Sequence, residues 1–166
     1  ANAGQVCLAV KRAYVPDAIY DVFCDELARL AGEAVVDEGT QQGAQIGPVQ
    51  NKMQYEKLKG LLDSARTEGK IIAGGNAIDR EGYFIEPTVI EGLAPGCRTN
   101  QEEIFGPVVT LIPFKDEDEA VTIANGTQYG LAASLWTENA ERAKRVAARI
   151  DSGIVWVNCW NLRDLR

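Results

Sequence analysis

Histidine is absent from the 166 residues of this chain. Without an imidazole, the chain cannot itself provide a histidine-ligated metal site, a zinc-protease motif, or a Ser-His or Cys-His catalytic pair. A catalytic thiol in this sequence therefore depends for its activation on backbone dipoles, a bound cofactor or groups outside the sequence.

Three further absences narrow the class of protein. The four cysteines are far apart and form no Cys-x-x-Cys pair, which indicates free thiols in a reducing compartment and predicts a cytoplasmic protein. The 17 Lys+Arg are scattered among 24 Asp+Glu for a net charge of -7, so the basic face that nucleic acid requires is missing. No apolar run reaches the length of a membrane span, and no signal-peptide pattern opens the chain.

The sequence also has no G-x-G-x-x-G fingerprint and no phosphate-binding P-loop, so no dinucleotide-binding unit can be recognised in it. What is present suits one globular domain over residues 1–166. The hydrophobic residues make up 46% of the chain, which is enough to form a core.

Short β-rich segments alternate with amphipathic stretches along the chain. We predict strands at 8–15, 70–73, 83–90, 108–114, 130–137 and 154–157, and helices at 17–31, 48–68, 116–124 and 137–150. This alternation implies crossover connections, and hence an α/β fold with a mainly parallel sheet and flanking helices.

Each of the two long helices is expected to turn one apolar face inward. In helix 17–31 that face consists of Ile19, Val22, Phe23, Leu27 and Leu30, with Cys24 packed beside it. In helix 48–68 it consists of Leu58, Leu61, Leu62 and Ala65. Pro87 interrupts the segment 83–90, which predicts an edge strand or an irregular one.

The first stretch that suggests chemistry is Asn2-Ala3-Gly4-Gln5-Val6-Cys7, in which a glycine permits a tight turn and a single thiol follows. Because the thiolate is the nucleophilic form of cysteine, Cys7 is a candidate nucleophile. The alternative is packing, since a free cysteine beside apolar residues is more often a small buried hydrophobe.

The second stretch, Glu102-Glu103-Ile104-Phe105-Gly106-Pro107, directly precedes the strand at 108–114. A carboxylate here can accept two hydrogen bonds from vicinal ribose hydroxyls, and the ring of Phe105 can press on a flat ligand. The alternative is a charged loop with one core phenylalanine.

Together these stretches resemble two motifs of the NAD(P)-dependent aldehyde dehydrogenase superfamily. Asn2-x-Gly4-Gln5-x-Cys7 is similar to its active-site cysteine motif, and the stretch 102–107 to its cofactor-contact motif. The likeness continues in the family's order through Gly82-Tyr83-Phe84-Ile85-Glu86-Pro87-Thr88, Tyr129-Gly130-Leu131-Ala132-Ala133 and Gly153-Ile154-Val155-Trp156-Val157-Asn158. It covers essentially the whole chain, so it implies the catalytic, cysteine-bearing domain of that family over residues 1–166.

By this resemblance, Cys7 attacks an aldehyde carbon to give a thiohemiacetal, hydride passes to NAD or NADP, and water hydrolyses the resulting thioester. The Cys7 N–H would supply half of an oxyanion hole. Glu103 would hold the nicotinamide ribose hydroxyls, and Phe105 would pack against that ribose and the nicotinamide ring. Asn2 and Gln5 are expected to shape the loop rather than to react.

In this family a dinucleotide-binding domain precedes the cysteine, together with the general-base glutamate and a second oxyanion donor. A glycine-rich stretch and an oligomerisation segment follow the part that this chain covers. The resemblance therefore implies a piece of a longer, homo-oligomeric enzyme, and no NAD-dependent turnover by the 166 residues alone. The alternatives are a CoA-acylating relative and a non-catalytic α/β interaction domain that retains the fold.

The end of the chain, Asn158-Cys159-Trp160-Asn161-Leu162-Arg163, is similar to the substrate tunnel of the 2-aminomuconate and 2-hydroxymuconate semialdehyde dehydrogenases. In that subgroup an arginine at the position of Arg163 binds the substrate carboxylate, which a guanidinium fork can do with two parallel hydrogen bonds. Cys159 is expected to line the tunnel, and Arg166 is a weaker second candidate. The alternative for Arg163 is a solvated side chain that pairs with Asp164.

Overall fold

A computed structural model of the chain describes residues 2–162. The chain divides into two compact units, 1–113 and 114–166, and each is described by itself. The elements of the first unit are β1 (Arg12–Pro16), α1 (Tyr20–Glu33), α2 (Lys52–Glu68), β2 (Lys70–Ala73), β3 (Thr88–Glu91), α3 (Arg98–Gln101) and β4 (Val108–Phe114, whose last residue begins the second unit). Those of the second unit are α4 (Glu117–Ala124), β5 (Ala132–Leu135), α5 (Ala140–Ala147) and β6 (Ile154–Val157).

The first unit is built on a four-stranded sheet in the order β1-β4-β3-β2. β3 runs parallel to β4, with Thr88 opposite Val108, and β2 joins the other side of β3 in the antiparallel direction. In the second unit β5 and β6 form a parallel two-stranded sheet. The predicted α/β fold with a mainly parallel sheet and flanking helices is confirmed.

The sheet of the first unit carries a core on each face. Side chains alternate between the two faces along a strand. Ile90 of β3 therefore packs with the buried face of α2, whereas its neighbour Val89 packs with Leu111 and Cys24 on the side of α1. One helix covers each face, which holds β3 and β4 firmly in place beneath the loops that precede them.

Helix α2 confirms its predicted inward face. Its four core residues are all at most 3% exposed: Leu58, Leu61, Leu62 and Ala65. The helix begins at Lys52 rather than at Pro48, because Asn51 accepts the backbone N–H of Gln54 on its side-chain oxygen at 2.9 Å and so acts as the N-cap.

The predicted inward face of helix α1 was correct only at Leu27. The other four of its five residues are exposed: Ile19, Val22, Phe23 and Leu30. The side that packs on the sheet consists of Tyr20, Cys24, Leu27 and Ala31. Small side chains at two of these positions let the helix approach the strands, and the Tyr20 hydroxyl donates to the Leu111 carbonyl at 3.1 Å. The packing role expected for Cys24 is confirmed, since it is 4% exposed.

Strand β3 is an interior strand, not the edge strand that Pro87 had suggested, but the predicted segment 83–90 is interrupted at Pro87 and the strand begins at Thr88. Pro87 lies just before the first paired residue, where its missing N–H removes no bond from the ladder. The next residue, Thr88, donates its N–H to the Pro107 carbonyl at 2.8 Å. This bond ties the start of β3 to the residue that follows Gly106.

Side-chain caps start both helices of the second unit. Asp116 accepts the N–H of Glu119 at 2.9 Å and so caps α4. In α5 the cap is Asn139, which accepts the N–H of Arg142 at 2.9 Å, so this helix begins at Ala140 and not at Thr137, where the predicted helix started. Thr137 bonds instead to Asn158 at the end of β6.

An ionic cluster joins α4 to α5. The Glu117 carboxylate accepts hydrogen bonds from Arg145 and Arg142, both at 2.7 Å. These bonds, those of Arg145 first, lower the pKa of Glu117 to about 2. These ion pairs therefore link the two helices.

Candidate active site around Cys7

Residues 2–9 form two successive turns that present Cys7 to solvent. The backbone N–H of Gln5 donates to Asn2 and that of Ala9 to Val6, at 3.0 and 2.9 Å. The second of these bonds closes a turn in which Cys7 is the first of the two central residues. The Cys7 side chain is exposed in this unit, so the alternative of a packed core cysteine does not describe it.

The side chains of Asn2 and Gln5 hold this loop together. The Asn2 amide donates to the Gln5 carbonyl at 3.2 Å, and the Gln5 amide donates back to the Asn2 carbonyl at 3.3 Å. The side-chain oxygen of Gln5 also accepts the N–H of Gln50 at 2.8 Å, which anchors the loop to the start of α2. These bonds agree with the expectation that the two residues shape the loop.

The segment 102–107 divides its side chains between ion pairing, core and surface. Glu102 pairs with Arg98 at 2.6 Å, and Ile104, 4% exposed, belongs to the core beneath α2. Glu103 is exposed and Phe105 is half-buried. The core residue of this segment is thus Ile104, which leaves Glu103 and part of the Phe105 ring open to a ligand.

Two glycines bring the cysteine loop and this segment into contact. Gly4 has φ +69°, and a Cβ built on it would lie 2.0 Å from the carbonyl oxygen of Gly106. A Cβ on Gly106 would in turn lie 2.5 Å from a methyl carbon of Leu58. Backbone therefore packs directly on backbone, a closeness that only glycine permits. The two motifs, about a hundred residues apart in sequence, share one place in the fold.

Lys11 joins the same two segments and was not singled out from the sequence. Its Nζ donates to the carbonyl of Gly4 at 2.6 Å and to that of Gly106 at 2.9 Å. Burial lowers the pKa of Lys11 to about 8, although the nearby negative charge of Glu103 opposes this shift. The ammonium also lies 5.9 Å from the centre of the Phe105 ring. A lysine within the apolar run 8–15 was the only signal in the sequence.

Cys159, the candidate tunnel residue, lies in the second unit just after β6. It is half-buried, and its carbonyl accepts the hydroxyl of Ser134 at 2.6 Å. Further along, Trp156 donates its ring N–H to the Leu162 carbonyl at 2.9 Å, which folds the segment back on β6. Arg163 and Arg166, the candidates for binding a carboxylate, lie outside the described residues.

Residues 2–162 contain neither a cluster of metal ligands nor a membrane-spanning helix. No three or more Cys, Asp or Glu side chains in this range gather as metal ligands would. None of its helices is both long enough and apolar enough to cross a membrane.

Comparison with known proteins places the whole chain in one family. The sequence profile of the aldehyde dehydrogenase family matches residues 1–166. The chain is 42% identical to a 2-aminomuconic 6-semialdehyde dehydrogenase from Pseudomonas sp. over 171 residues, which cover 99% of this chain and 35% of that protein. It is also 42% identical to the 2-hydroxymuconic semialdehyde dehydrogenase of Pseudomonas sp. (strain CF600), covering 100% of this chain and 35% of that protein. The chain therefore spans about a third of the length of the curated relatives it matches.

The fold gives the same result. A point mutant of betaine aldehyde dehydrogenase from Staphylococcus aureus, solved in complex with NAD+, matches at a TM-score of 0.94 and 36% identity, over 98% of this chain and 34% of that one. A mutant aldehyde dehydrogenase from Bacillus cereus matches at a TM-score of 0.95 and 34% identity, over 98% and 33% of the two chains. With profile, sequence and fold in agreement along its whole length, the chain belongs to the aldehyde dehydrogenase family.

Proposed function

We propose that the protein carrying this chain oxidises a carboxylate-bearing semialdehyde to the corresponding acid with NAD or NADP, and that Cys7 is its nucleophile. One observation carries the proposal: the loop that exposes Cys7 packs backbone to backbone on the segment that exposes Glu103. A thiol and a cofactor-binding carboxylate on touching segments are what a hydride-transfer site requires, because the reacting carbon and the hydride acceptor must meet.

The chemistry of Cys7 follows from its position in a turn. Its thiolate attacks the aldehyde carbon, which forms a carbon–sulfur bond and moves the carbonyl electron pair onto oxygen. The Cys7 backbone N–H donates to this developing oxyanion. Loss of hydride from the same carbon restores the carbonyl as a thioester. Water then cleaves the carbon–sulfur bond, which releases the carboxylic acid and returns the thiolate.

Glu103 and Phe105 fit the nicotinamide end of a dinucleotide. An ionised carboxylate is an acceptor for the two vicinal hydroxyls of a ribose, and Glu103 is exposed. The half-buried ring of Phe105 offers a flat wall whose backbone is fixed, since Gln54 donates to the Phe105 carbonyl at 3.0 Å. When bound, NAD or NADP supplies the hydride acceptor.

The substrate class rests on relatives and on the end of the chain. The similar proteins include 2-aminomuconic and 2-hydroxymuconic semialdehyde dehydrogenases, whose substrates by name carry a carboxylate. Arg163 is the residue we propose to bind that carboxylate, with Cys159 lining the path to it. The guanidinium fork matches a carboxylate in a way that a lysine does not.

Free thiols at all four cysteines agree with a reducing compartment such as the cytoplasm. We propose that residues 1–166 are the cysteine-bearing catalytic domain of a homo-oligomeric enzyme. We also propose that these residues alone show no NAD-dependent turnover, because no dinucleotide-binding unit can be recognised in their sequence.

The proposal is tested by Cys7→Ala in the complete protein, with Cys97→Ala as the matched control. Both changes remove one thiol, but Cys97 packs against the core beneath α2. We expect Cys7→Ala to reduce NADH formation to background and Cys97→Ala to retain it. Analysis of the product distinguishes hydrolysis from acyl transfer: free acid supports the proposed reaction, whereas acyl-CoA formed only with added CoA supports the CoA-acylating alternative.

The substrate class is tested separately with Arg163→Gln. We compare kcat/KM for a semialdehyde with a terminal carboxylate and for an uncharged aldehyde of equal length. Loss of a bidentate charged pair is expected to lower kcat/KM for the acidic substrate by about tenfold to a hundredfold, and to leave the neutral one unchanged. Equal losses on both substrates would argue against carboxylate binding by Arg163.

A further inference from the structure

Lys11 is fixed at both ends. Its backbone carbonyl accepts the N–H and the hydroxyl of Thr110 at 2.9 and 3.3 Å, which ties it to β4. Its Nζ reaches the carbonyl oxygens of Gly4 and Gly106. The side chain therefore connects the rigid sheet to two loops, one on each side of the candidate site.

The ammonium of Lys11 lies in an environment that disfavours its charge. Partial removal from water disfavours the charged form of an amine, and burial lowers the pKa of Lys11 to about 8. Two backbone carbonyls accept its hydrogens, and the Glu103 charge and the Phe105 ring face lie close by. All four groups belong to the two motifs that bear the candidate site.

Lys11 spans a junction that the two glycines cannot bridge themselves. Gly4 and Gly106 have no side chains, and a Cβ on Gly4 would collide with the Gly106 carbonyl. Gln5 bonds to the start of α2 from the loop, and Gln54 bonds to the Phe105 carbonyl from α2. The hydrogen bonds of Lys11 reach both segments at once.

We propose that Lys11 is a positioning residue, which holds the Cys7 loop against the segment 103–106 and so fixes the separation between the thiol and the nicotinamide end of the cofactor. This inference rests on the proposed function. Lys11 does not itself touch substrate or exchange a proton in the reaction. Its hydrogen bonds set the geometry that hydride transfer needs, where a displacement of about 1 Å can cost about a hundredfold in rate.

The test uses Lys11→Met and Lys11→Gln in the complete protein, with Lys57→Met on the exposed side of α2 as the matched control. We expect both Lys11 variants to lose at least about tenfold in kcat, measured per titrated Cys7 thiol, and to show a raised KM for the cofactor. Lys57→Met should match the wild type. Hydrogen exchange should accelerate at residues 2–9 and 103–107 in the Lys11 variants but not within α2.

Two results would overturn the inference. One is a folded Lys11 variant whose kcat and cofactor KM both stay within about twofold of wild type. Another is a loss of kcat that is matched by faster exchange throughout α2, which would show general destabilisation. If Lys11→Met does not fold, the folded Lys11→Gln variant decides by the same criteria. If the proposed function itself is wrong, the wild-type protein will show no cofactor-dependent aldehyde oxidation. The hydrogen-exchange pattern will still report whether Lys11 joins the two segments.

Discussion

Replacing Gly4 with alanine perturbs the junction of the two motifs by a single methyl group. The added Cβ would lie 2.0 Å from the Gly106 oxygen and 2.9 Å from the Lys11 Nζ. Since ordinary Cβ contacts are wider than 3 Å, the two backbones must separate by about 1 Å, and the Lys11 bonds must lengthen. Alanine at φ +69° adds a strain of about 1–2 kcal/mol, because L-residues disfavour the left-handed region.

These two effects predict different observables. The strain should lower the thermal stability of the protein modestly. The separation should lower kcat/KM for aldehyde oxidation by about a hundredfold, which is the cost of misplacing reacting groups by about 1 Å. NADH formation by the complete protein under saturating cofactor measures the second effect, and alkylation of Cys7 by iodoacetamide shows that the thiol is still present and accessible.

Gly47→Ala is the matched control for this experiment. Nothing lies within 4 Å of a Cβ at Gly47, and its φ is not in the left-handed region, so the same methyl group enters open space. We expect its kcat/KM to equal that of the wild type. A Gly4→Ala variant whose kcat/KM stays within about threefold of the Gly47→Ala value would refute the reasoning that the two segments must touch.

Three other predictions concern the scaffold and Lys11. Gly60→Ala should raise the melting temperature, since the glycine lies inside α2 with open space around it and alanine favours a helix by about 0.5–1 kcal/mol; an unchanged or lower value would contradict this. Leu58→Ala should destabilise by about 2–5 kcal/mol, because Leu58 is 0% exposed, whereas Met53→Ala at a 79% exposed position should have little effect. Lys11 should titrate near pH 8 when its methylated amine is followed by NMR. The free energy of unfolding should rise between pH 8 and 10.5, because in this range the unfolded chain still holds the proton that the folded chain has released. This rise should be missing from Lys11→Met.

Regular periodicity explains which parts of the fold were predictable. In α2 all three leucines fall on one helical face together with Ala65, so pattern and packing coincide and all four core positions were correct. In α1 two apolar faces compete. The predicted face includes Phe23, whereas the face that packs on the sheet includes Cys24, and Leu27 belongs to both. A hydrophobic pattern gives most weight to large side chains, whereas close packing of a helix on strands also favours small ones.

Long-range hydrogen bonds explain what could not be predicted in the candidate site. Cys7, Glu103 and Phe105 stand in short motifs whose resemblance to a known family was legible in the sequence, and whether they act as proposed stays a prediction. The role of Lys11 depends on a carbonyl 95 positions away, and no local pattern encodes that contact. Arg163 lies outside the described residues, so its part still rests on the sequence.

The central claim is that Cys7 carries the substrate as a covalent thioester. The most direct measurement is mass spectrometry of the complete protein, quenched with acid during turnover of aldehyde and cofactor and then digested. The account predicts an acyl group on the peptide that contains Cys7, present only when aldehyde and oxidised cofactor are both supplied. An acyl group on Cys159 instead, or sustained turnover by Cys7→Ala, would contradict it.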